Sequence, residues 1–242
     1  MGILPKGKRP GIDEGNFDIY RLPKKRKNIA IIKSFVTTPL LKSFAEANGF
    51  KLIETHTGFK WIGEKLKDYE ETFTKNFFRL QGLKLDYSRC SYAARKELMS
   101  KNSSFFFLGA EESCGFLAND AVRDKDANAA TLMFAEFVAY LKAHELSYSD
   151  FLDEIYLKYG YFKEDLLSFT FDGAEGVNKI KRLMDLYRSK TTKRYNNVRV
   201  LTTTDFLSGG GKDADGKEIP ASDFIIIRLL DGCSIAIRPS GT

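Results

Sequence analysis

Cysteine and histidine are both scarce in this chain of 242 residues, which has three cysteines and two histidines. The cysteines, Cys90, Cys114 and Cys233, lie far apart in the sequence. An odd number of distant cysteines with no CxxC spacing argues against a disulfide framework, and the lack of clustered Cys and His argues against a zinc site. Scattered thiols are typical of a reducing compartment, and we therefore expect a cytoplasmic protein.

Long apolar runs are also lacking. No stretch approaches the roughly 18 apolar residues of a membrane-spanning helix, and the N-terminus has no apolar signal-peptide core. Positive charge is concentrated in residues 1–28, where eight basic and three acidic side chains give +5 of the net charge of +6. We interpret this range as a solvated basic tail and expect no membrane partner. Nucleic acid is the alternative partner, disfavoured because aromatic residues are not interleaved with the charges.

The first two thirds of the chain have the pattern of an α/β domain. Residues 29–36 are a nearly continuous β-branched run, typical of a strand buried on both faces of a sheet. A predicted helix that ends at Gly49 and a second strand over 50–55 follow. This strand–helix–strand order indicates an α/β domain. A third strand over 103–110 and a long helix over 127–146 extend it.

The last third of the chain has a different pattern. Its predicted strands cover 166–171, 198–204, 224–230 and 233–238, and its predicted helix covers 174–189. The last two strands are separated by Asp231 and Gly232, a strong signal for a two-residue hairpin turn. Clustered antiparallel strands beside one helix indicate a separate α+β unit. We therefore expect a first domain over 29–162 and a second over 163–242.

The turn GAEESCG, residues 109–115, is the first candidate site. Ligands of α/β sheets lie beyond the carboxyl ends of the strands. There Glu111, Glu112 and Ser113 could exchange hydrogen bonds with sugar hydroxyls. The alternative is an acidic helix N-terminus, in which the glutamates accept from free backbone N–H groups. The residues alone leave both interpretations open.

The turn THTGFKW, residues 55–61, is the second candidate. Its Thr-Gly pair lets a ligand approach the backbone, and Lys60 and Trp61 could hold a charged ring compound. The alternative is an ordinary strand-to-helix turn with Trp61 in the core. We interpret His56 as a loop histidine rather than a catalytic group.

Charged residues mark two further candidate segments. VRDKD (122–126) precedes a helix, so Asp126 is expected to cap it, with a functional Lys125 as the alternative. RPSGT offers a guanidinium fork, hydroxyls and a glycine, which suit a phosphate group, although a polar turn has the same composition. These residues are Arg238, Ser240, Gly241 and Thr242. GGGK (209–212) lacks the first glycine of a nucleotide loop and is interpreted as a flexible hairpin loop.

The order of these motifs closely resembles the second half of the α-D-phosphohexomutase family, above all its phosphoglucomutase and phosphomannomutase members. The resemblance spans about residues 29–242 and rests on ETHTGFKWIGEKL, GAEESCGFLANDAVRDKDANAA and DGCSIAIRPSGT. It implies a three-layer α/β/α domain with a mixed sheet, the family's third domain, followed by a partial α+β fourth domain of the TATA-box-binding-like type. The implied activity is an isomerase of carbohydrate metabolism, an intramolecular phosphotransferase that interconverts hexose 1-phosphate and hexose 6-phosphate.

The resemblance also implies roles for the candidate residues. The sugar would be bound by Thr57, Gly58, Glu111 and Ser113. The distal phosphate would be held by Arg238, Ser240, Gly241 and Thr242. Lys125 would lie near the transferring phosphate as a charge stabiliser or an acid/base group. Phosphoryl transfer depends mainly on positioning and charge neutralisation, which residues of these types supply.

The remaining parts of the reaction are implied to lie on two N-terminal domains, which carry a phosphoserine and an Mg²⁺ loop of aspartates. This sequence has neither a Ser-His phosphoserine motif nor an aspartate cluster, so we expect no metal ligand in it. Mg²⁺ and a glucose 1,6-bisphosphate-type activator are expected for a longer parent only. Relatives continue past RPSGT, and we expect a truncated piece that binds a sugar phosphate without turnover. A non-catalytic phosphosugar-binding or regulatory module is the alternative. The motifs do not distinguish glucose from mannose, pentose or hexosamine phosphates.

Overall fold

The first sheet is built around a completely buried strand. The computed structural model describes residues 28–113, 115–190 and 192–240. Strand β1 (Ile29–Ser34) pairs in parallel with β2 (Lys51–Thr55) and with β3 (Phe105–Ala110), and β3 pairs antiparallel with β4 (Phe116–Leu117). The order β2-β1-β3-β4 puts β1 in the interior and leaves β2 at an edge. The three parallel strands are those predicted from the apolar runs.

Helices cover both faces of this sheet. In the described residues, the helices of the first unit are α1 (Leu40–Asn48), α2 (Phe59–Gln81), α3 (Tyr92–Asn102), α4 (Ala127–Ala143) and α5 (Tyr148–Tyr159). They pack in two groups, α2 with α3 and α5 with both α1 and α4. Every residue of β1 is buried although alternate side chains point to opposite faces, so both faces must be covered. The expected three-layer α/β/α domain with a mixed sheet is confirmed.

Most helix ends follow the sequence. Helix α1 ends at Gly49, whose φ of 67° is the left-handed conformation that favours glycine. Asp126 caps α4, and its carboxylate accepts from two backbone N–H groups of the first turn. Helix α5 is capped by Ser147. Ser147 forms a reciprocal capping box with Asp150, in which each side chain accepts from the other residue's backbone N–H.

Helix α4 is more exposed than its apolar sequence predicts. Its periodicity places Phe134, Val138 and Leu141 on one face, but only Leu141 is buried, while Phe134 is 59% and Val138 46% exposed. The helix packs on the two-residue strand β4 and on α5. So short a strand covers only part of an apolar helix face.

The second unit is a small antiparallel sheet with one helix against it. Its elements are α6 (Gly173–Ser189), β5 (Arg194–Tyr195), β6 (Val198–Asp205), β7 (Ile225–Leu229) and β8 (Ser234–Ile237). The strands pair in sequence order, and Met184 of α6 packs against the buried residues of β7. Gly232 has a φ of 90° in the turn between β7 and β8. The expected α+β unit and its last hairpin are confirmed.

Residues 160–172 connect the two units without helix or strand. The strand predicted over 166–171 is therefore wrong. Leu166, Leu167 and Phe169 have the composition of a strand, but each is more than 70% exposed, and the segment pairs with no strand of the described chain. A strand requires a hydrogen-bonded neighbour, which periodicity alone does not reveal. The predicted domain boundary at 162–163 falls in this segment and stays a prediction.

The two units meet along the connection between β6 and β7, residues 206–224, which we call the docking loop. The rings of Phe206 and Phe224 pack against Phe35, which follows β1, with centroid separations of 4.9 and 5.9 Å. Polar contacts fix the tip of the loop to the first unit as well. The hairpin loop expected at 209–212 is confirmed, and contacts on both sides of its glycines attach it to the first unit.

Candidate functional site

Three loops meet at the carboxyl edge of the first sheet. They follow β1, β2 and β3, and parallel strands bring their carboxyl ends to one edge. The backbone N–H of Gly58, after β2, donates to Oε1 of Glu111, after β3, at 2.5 Å. Two segments predicted to bind a sugar are therefore in direct contact although they are distant in sequence.

The GAEESCG turn is a hairpin that joins β3 to β4. Ala110 pairs with Phe116, and the N–H of Glu111 donates to the carbonyl of Gly115 at 2.8 Å. No helix follows, so the alternative of an acidic helix N-terminus is wrong. A Cβ atom at position 115 would lie 2.7 Å from Cβ of Glu111, so only glycine leaves room for the Glu111 side chain. Ser113 lies exposed at the tip of the turn.

A hydroxyl cluster at the end of β1 supports this turn, and sequence reasoning missed it. The hydroxyls of Ser34 and Thr37, both buried, are 2.8 Å apart. Ser34 also donates to Oε2 of Glu112 at 3.1 Å, and Thr37 donates to the carbonyl of Ala110 at 3.3 Å. The signal in the sequence is a serine that ends a buried strand, directly after the buried Lys33. The cluster links the turn after β1 to the glutamates after β3.

The turn after β2 is a strand-to-helix turn, the alternative given for THTGFKW. Gly58 is the N-cap of α2 with a φ of 123°, which side chains other than glycine rarely adopt. Thr57 is half-buried beside it. Trp61 is half-buried rather than in the core, and Nζ of Lys60 lies 4.7 Å from the centroid of its ring. Thr57 and Gly58 thus lie beside Glu111.

His56 lies in the loop after β2, as expected, and it is buried there. Its Nε2 atom lies 2.8 Å from the carbonyl oxygen of Pro220 in the docking loop. Its ring packs edge-on against Phe206 and Phe224 at centroid separations of 5.1 and 5.9 Å. The sequence gives no sign of this role, because the partners lie 150 or more residues away.

Lys125 lies on a fixed loop at the start of α4. Its side chain is exposed, with Nζ 3.6 Å from Oδ1 of Asp124. The loop packs against α2, where a Cβ atom on Gly63 would lie 2.6 Å from the carbonyl oxygen of Arg123. This close approach explains the presence of a glycine inside α2. Arg123 also pairs with Glu70 of α2.

Arg238 follows β8 directly and is exposed. The last residue pair of the β7–β8 ladder is Ile225 with Ile237, so the backbone of Arg238 leaves the sheet beside Phe224. Phe224 in turn contacts Phe35 at the carboxyl edge of the first sheet. The backbone therefore brings the start of the RPSGT segment to the edge that carries the turns predicted to bind a sugar. Ser240 is exposed two residues further on.

Several predictions fall outside the described residues, namely those on Gly241, Thr242, Cys114 and residues 1–27 of the basic tail. In the part of the chain that the structure describes, no three His, Cys, Asp or Glu side chains are grouped to hold a metal ion, so its residues do not fit a magnesium site. Among the described helices, none has both the length and the apolar character to cross a membrane. The cytoplasmic location stays a prediction.

Comparison with known proteins gives consistent results. Residues 18–75 and 90–159 match the family model for phosphoglucomutase/phosphomannomutase, alpha/beta/alpha domain III. A phosphoglucomutase of Staphylococcus epidermidis is 30% identical over 220 residues, which are 89% of this chain and 34% of that protein. A phosphoglucomutase of Staphylococcus aureus strain N315 is 29% identical over 231 residues, 94% of this chain and 36% of that protein. The open-form crystal structure of pp63/parafusin, a phosphoglucomutase from Paramecium, gives a TM-score of 0.46 at 20% identity, over 88% of this chain and 30% of that one.

This chain thus spans about a third of the length of the curated relatives it matches. The family model covers more than half of the 242 residues and includes all three parallel strands. The unmatched residues 76–89 are the end of α2 and most of the link to α3. The family model also includes the GAEESCG turn at the carboxyl edge of the sheet and the VRDKD loop that packs against α2. On this basis the chain belongs to the phosphoglucomutase/phosphomannomutase family.

Proposed function

We propose that this chain forms the sugar- and phosphate-binding part of a phosphohexomutase, which interconverts hexose 1-phosphate and hexose 6-phosphate. The observation that carries the proposal is the hydrogen bond from Gly58 to Glu111, which joins the turns after β2 and β3 into one surface. Family membership supports the substrate class.

The sugar end of the proposed site is rich in acceptors. A carboxylate has about four lone-pair sites, so Glu111 can accept from Gly58 and still accept from a sugar hydroxyl. The hydroxyls of Ser113 and Thr57 can each donate and accept. Because Gly115 leaves the Glu111 side chain in place, the carboxylate is held ready before substrate arrives. Such an arrangement distinguishes a polyhydroxylated ring from an apolar one.

The phosphate end is proposed to lie on the second unit. Arg238 provides a planar guanidinium whose geometry matches phosphate oxygens. Ser240, Gly241 and Thr242 would add hydroxyl and backbone N–H donors. Holding the sugar at one place and the distal phosphate at another allows either end of the substrate to be presented for transfer.

The transfer step itself needs groups beyond these residues. Two further domains of a longer protein would carry a phosphoserine, which supplies phosphoryl transfer, and would bind Mg²⁺, which neutralises charge. A glucose 1,6-bisphosphate-type activator would be needed in addition. This chain matches about a third of the length of each curated relative, which supports a division of the reaction between this chain and further domains. Lys125, exposed on its fixed loop, would neutralise charge on the transferring phosphate. The chain alone is proposed to bind without turnover.

Titration of the chain with glucose 1-phosphate, followed by amide chemical shifts, tests the proposal. We expect shifts at Thr57, Glu111, Ser113 and Arg238. Glu111→Ala should abolish them, whereas Glu46→Ala, on the exposed surface of α1, should leave them unchanged. A folded chain whose amides at these positions do not respond would contradict the assigned site.

A further inference from the structure

The docking loop runs along the edge strand β2 and contacts both of its ends. At the carboxyl end, Nε2 of His56 donates to the carbonyl of Pro220 at 2.8 Å. At the amino end, Nζ of Lys51 lies 2.5 Å from Oδ1 of Asp215. Since an uncovered edge strand is a liability for a sheet, the loop also protects β2. The second unit is therefore held at two separate points.

The most buried contact at the amino end centres on Lys65 of α2. Its ammonium lies 2.5 Å from Asp213 and 3.1 Å from Asp215, and the side chains of Lys65 and Asp213 are only 7% and 6% exposed. Tyr69, one turn further along α2, donates its hydroxyl to Asp215 at 2.7 Å. Two carboxylates of the loop thus meet two lysines and a tyrosine of the first unit.

The protonation states agree with this arrangement. Burial, followed by the charge of Asp215, raises the pKa of Tyr69, so its hydroxyl keeps the proton that it donates. Burial alone would raise the pKa of Asp215. Hydrogen bonds from Lys51 and Tyr69 and the charge of Lys65 outweigh that effect and hold the pKa below its ordinary value of 3.8. Asp215 is therefore negatively charged at neutral pH and can form its ion pairs with Lys51 and Lys65.

An outer ion pair repeats the contact with the charges reversed. Lys217 of the docking loop lies 2.9 Å from Glu64 and 2.7 Å from Asp68, both on α2. Hydrogen bonds to Asp68 and then to Glu64 raise the pKa of Lys217. The reversal of sign between the buried and the outer contacts makes a shifted register costly, because like charges would then meet.

The tip of the docking loop also has hydrogen bonds of its own. Oδ1 of Asp213 accepts from the backbone N–H groups of Asp215 and Lys217, at 2.8 and 3.0 Å. The loop also closes with an antiparallel bridge between Lys212 and Glu218. Its carboxylates are thus presented in a fixed pattern. Undocking would break the ion pairs of Lys65 with Asp213 and of Lys51 with Asp215 together.

The two contact points connect directly to the two proposed binding elements. His56 precedes Thr57 and Gly58 of the sugar-binding turn. The docking loop ends at Phe224, beside which Arg238 leaves β8. A change at either contact point would therefore alter the distance between the sugar-binding turn and Arg238.

We propose that His56, Asp213 and Asp215 are positioning residues, which hold the unit that carries Arg238 at a fixed distance from the sugar-binding turns. This inference rests on the proposed function for its effect on ligand affinity. The fixed orientation of the two units is independent of that function and can be measured without ligand.

Two substitutions of increasing severity test the inference in the full chain. Asp215→Asn keeps the buried pair of Lys65 with Asp213, so it leaves no buried charge unpaired. The double variant Asp213→Asn/Asp215→Asn removes both charges but keeps the Oδ1 acceptor inside the loop. Glu218→Gln is the matched control, since this exposed carboxylate of the same loop pairs only within the loop, with Lys212 at 3.8 Å.

Residual dipolar couplings and ligand affinity are the two readouts. In the unsubstituted chain and in Glu218→Gln, amides of β1–β3 and β6–β8 should fit one alignment tensor. In the double variant the two sheets should need different tensors. If the competent orientation falls to about a tenth of the population, affinity for glucose 1-phosphate falls about tenfold. Asp215→Asn should give an effect of the same kind and smaller size.

The outcomes separate this inference from the proposed function. One shared tensor in a folded double variant, or equal affinities of the double variant and Glu218→Gln, would overturn the positioning role. If the double variant does not fold, a single tensor and unchanged affinity in Asp215→Asn would overturn it equally. An unsubstituted chain with one tensor and no response to glucose 1-phosphate would contradict the proposed function while supporting the docking.

The His56 contact has its own test. His56→Phe keeps the ring packing but leaves the Pro220 carbonyl without its donor, whereas His56→Gln can still donate an N–H. We expect His56→Phe to weaken glucose 1-phosphate binding about fivefold, the equivalent of one neutral hydrogen bond. His56→Gln should restore most of it. Equal affinities of the two variants would show that the hydrogen bond does not position the loop.

Discussion

The two units of this chain differ in how much core each has of its own. The first unit buries all of β1 and packs it against residues of α1, α2 and α3. The second has a small core formed by Met184, Ile225, Ile227 and Leu229. A third cluster, with Phe206 and Phe224, packs against Phe35 of the first unit. A small core stabilises little by itself, so the second unit depends on docking where the first does not.

The largest expected effect is on the core of the first unit. Phe73→Ala removes a completely buried ring from α2 and should cost about 3–5 kcal/mol of unfolding free energy. Phe78→Ala, at a half-exposed position of the same helix, is the control and should cost far less. Denaturation followed at amides of both sheets measures the effect. Because the second unit depends on the first, both sheets should lose stability. A loss of stability in the first sheet alone would contradict the dependence of the second unit on docking.

Substitution of Lys65 should act on the second unit more than on the first. Lys65→Met keeps the stem of the side chain but leaves Asp213 buried without its cation. We expect a loss of about 3 kcal/mol of unfolding free energy, which is at the lower end of the range for breaking a buried ion pair. The loss is small for this range because Asp215 keeps its contacts with Lys51 and Tyr69. Lys67→Met, an exposed lysine of the same helix, is the control. Equal stability loss at the amides of the two sheets would contradict the dependence of the second unit on docking.

Gly115→Ala should disturb the site without undocking the second unit. The added Cβ would lie 2.7 Å from Cβ of Glu111, and overpacking of this kind costs about 1–3 kcal/mol. We expect the amide shift of Gly58 to change, because its hydrogen bond to Glu111 is displaced. Amides of β6–β8 should keep their shifts. An unchanged Gly58 amide would show that Glu111 is not held by this contact.

The smallest effect is the acid dependence of docking. The pKa of Asp215 in the folded chain lies below its ordinary value of 3.8, so the carboxylate stabilises the folded state above that pH. Its contribution is lost as pH falls through the lower folded pKa. The difference in unfolding free energy between the unsubstituted chain and Asp215→Asn should therefore shrink below about pH 4. A difference that stays constant down to about pH 2 would contradict the ion pairs of Asp215.

The sequence was sufficient to predict the elements that depend on local chemistry. The apolar run of β1, the cap at Asp126 and the end of α1 at Gly49 each follow from residue types within a few positions. The hairpin turn at Asp231 and Gly232 has the same basis. The family resemblance assigned Glu111 and Gly58 to the same sugar, which stays a prediction, and the structure joins the two residues by a hydrogen bond.

What could not be predicted depends on partners distant in the chain. Lys65 and Asp213 are separated by almost 150 residues, and each looks like an ordinary exposed charge in its own segment. The glycines before Asp213 predict a hairpin loop but give no sign of its contacts with the first unit. The burial of His56 is equally hidden, since its acceptor is the carbonyl of Pro220. The false strand at 166–171 shows the converse, a strand-like sequence without a neighbouring strand.

The central claim is that the sugar-binding turns and Arg238 hold one and the same molecule. Titration with glucose 1-phosphate, read separately at the amides of Gly58 and Arg238, tests it most directly, with Arg238→Ala as the variant. The account predicts one dissociation constant at both positions, and a loss of about 1.5–3 kcal/mol at Gly58 when the guanidinium is removed. Different dissociation constants at the two positions, or an unchanged constant at Gly58 in Arg238→Ala, would contradict it.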